Sequence, residues 1–184
     1  MGKRYKTLQE AHVNFIQAQK IFFVATAAND GTINVFPKGW DSLRVMDLNR
    51  LVWRNVTGSG NETAAHLSQN NGMTQMFCAF DGKPKILRLY SQAQAFHLRD
   101  AEFPTLDALF KPHPSGRQLI DFQIDLIQAS YGLDVRLLEF QRERNDMDKW
   151  LESKDEHDIR NYWERKNALS LDGLPTHIHG PGHE

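Results

Sequence analysis

Hydrophobic positions change period from about 3.6 to about 2 residues shortly after residue 20, which predicts a helix leading into a β-rich body. Leu8, Ala11, Val13, Phe15 and Ile16 recur at roughly helical spacing, and Thr7-Leu8-Gln9-Glu10 has the spacing of a capping box, so residues 8–19 are expected to form an amphipathic helix. The run IFFVATA at 21–27 reads as a buried strand. Asn29-Asp30-Gly31 tolerates positive φ, and the β-branched Thr32, Ile33 and Val35 come next, which together signal a hairpin. Further strands are expected at Leu43–Met46, Leu51–Val56, Met73–Phe80 and Ile86–Leu98. Between residues 117 and 127, Ile120, Phe122, Ile124 and Leu126 alternate with Asp121, Gln123 and Asp125, the pattern of a half-buried strand. Trp150, Leu151, Ile159, Tyr162 and Trp163 place one or two helices within 146–168. Pro175, Gly180, Pro181 and Gly182 make residues 171–184 an extended tail that runs over the surface. Six or more strands with no β-α-β alternation predict one mainly β domain over 1–184, an antiparallel barrel with peripheral helices.

Composition narrows the function. The 184 residues include 22 Lys+Arg against 23 Asp+Glu, and this balance argues against a nucleic-acid or membrane-surface binder, which would carry a basic excess. Any bound anion must be held by local groups. A lone cysteine, Cys78, excludes an intramolecular disulfide and a cysteine-based zinc site, and with no signal-peptide pattern at the N-terminus the cytoplasm is the expected setting.

Two short segments carry candidate chemistry. In Gly58-Ser59-Gly60-Asn61-Glu62-Thr63, glycines let the backbone approach a ligand and Ser59, Asn61 and Thr63 offer short polar side chains ahead of a helix. The same residues also fit a plain capping box, with Glu62 turning back to the Ser59 amide. The turn has no cation, so a phosphate there needs positive charge from elsewhere in the sheet. Pro37-Lys38-Gly39-Trp40 sets a cation and a flat apolar ring beside exposed backbone, which suits a planar anionic ligand or, equally, a solvated strand end. Arg88 interrupts the apolar strand Ile86-Leu87-Arg88-Leu89-Tyr90. Cys78 lies among apolar neighbours as a buried inert thiol, and no metal site is indicated.

The order of these pieces, with NVFPKGWDSLRVMD, GSGNETAAHL, KPKILRLYSQA and a late NALSLDGLP, resembles the pyridoxamine 5'-phosphate oxidase-like FMN-binding split-barrel proteins over about residues 10–175. The resemblance implies a six-stranded split β-barrel working as a homodimer, with FMN in clefts between the subunits. It implies that Lys38, Gly39 and Trp40 lie against the flavin ring and that Thr57, Gly58, Ser59, Asn61 and Thr63 hold the phosphate. Arg88 would reach the ligand of the other subunit. On this reading the protein is an oxidoreductase passing a hydride between a small organic substrate and FMN. The alternative is a non-catalytic flavin- or haem-binding barrel, with His66 or His97 as an axial ligand. Asn61 and Glu62 stand where the true oxidases place basic residues, and SLDGLP replaces their C-terminal Arg- and Trp-containing segment, so vitamin B6 oxidation is not the expected activity.

Overall fold

A computed structural model describes residues 2–180. The described residues form one antiparallel sheet and five helices. In chain order these are β1 (Lys3–Tyr5), α1 (Glu10–Ala18), β2 (Ile21–Ala27), β3 (Ile33–Gly39), β4 (Leu43–Val45), β5 (Arg50–Val56), α2 (Glu62–Leu67), β6 (Gly72–Cys78), β7 (Ile86–His97), α3 (Phe103–Asp107), β8 (Gly116–Ser130), α4 (Asp146–Leu151) and α5 (Glu156–Asn167). The sheet runs β3-β2-β6-β7-β8-β5-β4, with β1 added to β8. Six strands have seven residues or more and two have three, so the structure is the expected split barrel with two short additions. Among the described residues no helix is long and apolar enough to cross a membrane.

Alternation fixes the inside. Phe22, Val24, Leu51, Trp53, Phe77, Leu87, Leu89, Ile120 and Phe122 close one core within the curled sheet. On the outside of β5 and β8, α3 and the residues just after it cover Val52 and Leu119 with Phe103, Leu106 and Phe110, so Leu119 is buried on the outer face as Ile120 is on the inner one. The edges β3 and β4 carry no further strand, and the barrel stays open between the β3 side and the β5 side.

Helix α1 starts two residues later than its pattern suggests, and its cap is also different. The Gln9 amide donates to His12 Nδ1 at 3.3 Å, so His12 rather than the Thr7–Glu10 pair closes the first turn. The tail is not loose up to residue 180. Leu169 bridges Pro175, Thr176 and Ile178 are buried, and Asp172 Oδ2 accepts from the Thr32 amide at 2.8 Å and its hydroxyl at 2.7 Å. Gly31, at φ 104°, leaves room for that carboxylate, since a Cβ there would lie 2.7 Å from Asp172 Oδ2. Residues 181–184 of the expected tail lie outside the described residues.

Candidate functional site

The opening between the two sides of the sheet is a cleft of about 770 Å3. The end of β3 supplies Phe36, Lys38, Gly39 and Trp40, β5 and the turn after it supply Trp53, Thr57 and Gly58, and β8 supplies Arg117. The chain after β8 passes over the opening with Phe140 and its neighbours. That volume is in the usual range of small-molecule pockets, and its walls are mostly apolar and aromatic with a few converging polar groups.

Lys38 has no carboxylate or hydrogen-bond partner among the described residues. Its Nζ lies 3.8 Å from the Phe36 ring centre and 4.8 Å from that of Trp53. Burial first, and then the charge of Arg117, pull the ammonium from its ordinary value down to about 7. Arg117 is 3% exposed. Its Nη1 donates to Asn167 Oδ1 at 2.6 Å and its Nη2 to the Gly60 carbonyl at 2.7 Å, while its Nε has no partner. Burial lowers its pKa to about 9, against the opposing pull of Tyr162 and Glu62, and at neutral pH it keeps its charge. Buried Arg117 and half-buried Lys38 therefore face one cleft, and neither forms an ion pair among the described residues. Such charges are costly in low dielectric unless something neutralises them.

The other end of the cleft is built on strain. Trp40 takes a left-handed backbone, φ 59°, which β-sheet residues other than glycine rarely adopt, and this presents its half-exposed indole to the mouth. The ring meets His113 edge-on at 4.5 Å. His113 is held on both sides, by Ser115 Oγ at 2.6 Å from Nδ1 and by Asp148 Oδ1 at 3.0 Å from Nε2.

Of the nine residues singled out in the sequence, Lys38, Gly39, Trp40, Thr57 and Gly58 line this cleft. The Thr57 hydroxyl is already engaged, donating to the Ser115 carbonyl at 3.0 Å and accepting from Trp163 Nε1 at 2.8 Å. Ser59 is exposed at the tip of the turn. Asn61 and Thr63 are buried behind it, where Asn61 accepts from Asn55 and Thr63 accepts from Asn34. Arg88 is elsewhere. Phe22, the register partner of Lys38, pairs in turn with Phe77 and Phe77 with Leu87, so Lys38 shares the inner face. Arg88, one residue on, points outward and donates to Ser130 Oγ at 3.4 Å. Arg117 was missed. Its position just after a glycine, at the head of the apolar run Leu119-Ile120, was the available signal.

The capping box expected of Glu62 does not form. Asn61 is the N-cap, and Glu62 Oε2 instead accepts from the Leu171 amide at 2.9 Å, tying the tail to the turn. His66 is fully buried and contacts Thr26 Oγ1 at 3.1 Å, and His97 is 7% exposed with burial pulling its pKa to about 4. Neither borders the cleft, so neither is placed to ligate a haem in it.

No protein-family model matches the chain. The chain is 31% identical over 189 residues to the pyridoxamine 5'-phosphate oxidase family protein ustO of Aspergillus flavus, covering 93% of this chain and 76% of that protein. Among solved structures, the fold is similar to a putative pyridoxamine 5'-phosphate oxidase from Lactobacillus delbrueckii, with TM-score 0.53 and 18% identity over 67% of this chain and 94% of that one. A Clostridium acetobutylicum protein related to general stress protein 26 gives TM-score 0.52 and 19% identity over 67% of this chain and 87% of that one.

Proposed function

Because the chain belongs to the pyridoxamine 5'-phosphate oxidase family, we propose that its cleft holds FMN and that the protein is a flavin-dependent oxidoreductase acting on a small organic substrate. One observation carries the reading: half-buried Lys38 and buried Arg117 form no ion pair among the described residues, and both line a ligand-sized cleft beside a glycine turn. A phosphate monoester supplies the missing charge, and charge-assisted hydrogen bonds from a guanidinium are the strong kind. The residues fit the cofactor. Arg117 and the Gly58–Gly60 amides take the phosphate, with Ser59 at the tip and Asn61 and Thr63 bracing the turn from behind. Lys38, Gly39 and Trp40 flank the ring, with Phe36 and Phe140 as apolar walls. When bound, the flavin supplies hydride transfer, and the protein supplies orientation and exclusion of water.

The protein works as a homodimer on this reading. Strand β3 leaves Ile33, Val35 and Phe36 exposed at 76%, 60% and 40%, and an apolar, unpaired edge of that kind needs a cover. Arg88 reaches the second subunit's site from the outer face. The cytoplasm, where Cys78 stays reduced, is the proposed compartment.

The visible absorption of the purified protein tests the cofactor. Flavin bands that leave with the protein fraction on gel filtration support the reading, and a protein that stays colourless after incubation with excess FMN overturns it. Sedimentation showing only a species near 21.2 kDa at micromolar concentration would reject the dimer.

A further inference from the structure

The late segment NALSLDGLP has no part in the cleft walls, yet its first residue touches everything that shapes the phosphate end. Asn167, the last residue of α5, has no exposed surface. Its Oδ1 accepts from Arg117 Nη1 at 2.6 Å, and its Nδ2 donates to the Gly58 carbonyl at 2.9 Å. Its own carbonyl accepts from the Thr176 hydroxyl at 2.5 Å and from Asn61 Nδ2 at 3.4 Å. Arg117 in turn donates to the Gly60 carbonyl at 2.7 Å. Both glycine carbonyls of the turn are thus drawn toward the α5 end, and the amides of Gly58, Ser59 and Gly60 have no backbone acceptor among the described residues.

We infer that Asn167 is the positioning residue of the phosphate seat: it holds Arg117 and the Gly58–Gly60 turn together, so that the site selects a phosphate monoester over its dephosphorylated counterpart. The inference rests on the flavin reading and adds to it a specificity element from the C-terminal segment. An amide is the side chain that serves here, because one group must accept from a guanidinium and the other must donate to a carbonyl. A carboxylate keeps the first contact and loses the second, and it neutralises the charge on which the anion depends. Leucine, of similar size, loses both.

The test compares FMN with riboflavin, which lacks the phosphate, by fluorescence titration of wild type, N167D and N167L. Wild type is expected to bind FMN at least tenfold more tightly than riboflavin. In both variants FMN affinity falls tenfold or more while riboflavin affinity changes less than threefold, a split that general loosening of the fold would not produce. Thr176→Val serves as a control, since it detaches the tail from the Asn167 carbonyl and should lower the melting temperature without a phosphate-specific loss. If the Asn167 variants do not fold, hydrogen exchange on the wild type decides the matter. FMN should slow exchange at Gly58, Ser59 and Gly60 and in the 167–176 segment, riboflavin should not, and unchanged exchange at both places overturns the inference. A wild type that binds FMN and riboflavin equally overturns the inference together with the phosphate seat. A wild type that discriminates while N167D discriminates equally well overturns the inference alone.

Discussion

Arg54 and Arg117 sit on neighbouring strands at 1% and 3% exposure, and each leaves its Nε unpaired, yet their surroundings differ in one respect. Arg54 meets the Asp107 carboxylate at 2.6 Å and the Lys111 carbonyl at 2.6 Å, so its charge is balanced within the fold. Arg117 finds only amide and carbonyl oxygens, and nearby Lys38 finds only aromatic rings. Burying a charge is tolerated where it is paired and hydrogen-bonded. The α3 side therefore reads as structure, and the glycine-turn side as a site whose counter-charge comes with a ligand.

Removing the acid on the structural side should have the largest effect on stability. Asp107→Ala strands Arg54, and with Asp107 itself 36% exposed the loss should be roughly 2 to 3 kcal/mol, below the 3 to 5 typical of fully buried pairs, as read from urea unfolding. FMN binding by the surviving folded fraction should change little. Arg117→Met should do the reverse. One charge-assisted contact is worth roughly 1.5 to 3 kcal/mol, so FMN affinity should drop about ten- to a hundredfold with riboflavin nearly unaffected. Equal responses of stability and affinity in the two variants would erase the distinction between the regions.

Lys38 separates stability from binding within one residue. Its folded pKa of about 7 lies below its ordinary 10.5, so between those values the folded state holds fewer protons than the unfolded one. Stability of the ligand-free protein should then rise with pH across that window, and Lys38→Met should flatten the rise and raise the melting temperature at neutral pH. FMN prefers the protonated amine, so wild-type affinity should decline as pH climbs above 7, by at most about tenfold per unit for a single linked proton, and the decline should vanish in Lys38→Met. A wild-type FMN affinity that is flat from pH 7 to 9 would take Lys38 out of the site. The smallest effect belongs to Glu62. Glu62→Ala removes the acceptor for the Leu171 amide and should cost about 0.5 to 1.5 kcal/mol in thermal or urea melts, whereas Glu62→Gln keeps an oxygen there and should cost less.

The long strands were legible because period-two alternation survives in Ile120–Leu126 and β-branched residues mark β2 and the start of β3, and the family resemblance ordered them into a barrel. The two-residue delay of α1 was not legible, since a buried His12 takes the capping role that the spacing of Thr7 and Glu10 offers. One side of the cleft could be read from Lys38-Gly39-Trp40 and Thr57-Gly58. Its decisive cation could not, because whether Arg117 is solvated or buried depends on α5 packing over the start of β8, some 50 residues downstream in sequence. Glu62 was misread for the same reason: a local cap competes with a partner, the Leu171 amide, 109 residues away. Arg88 lies one residue of register off the face that carries Lys38, so strand parity keeps it out of the cleft of its own subunit.

On the proposed reading, a phosphate on a flavin completes the cleft. Calorimetric titration of the ligand-free protein at pH 7 with FMN and with riboflavin, repeated on Arg117→Met, tests it most directly. The wild type should bind FMN at least tenfold more tightly than riboflavin, and the variant should lose most of that preference. Equal affinity for the two flavins in the wild type, or a preference that Arg117→Met leaves intact, would contradict it.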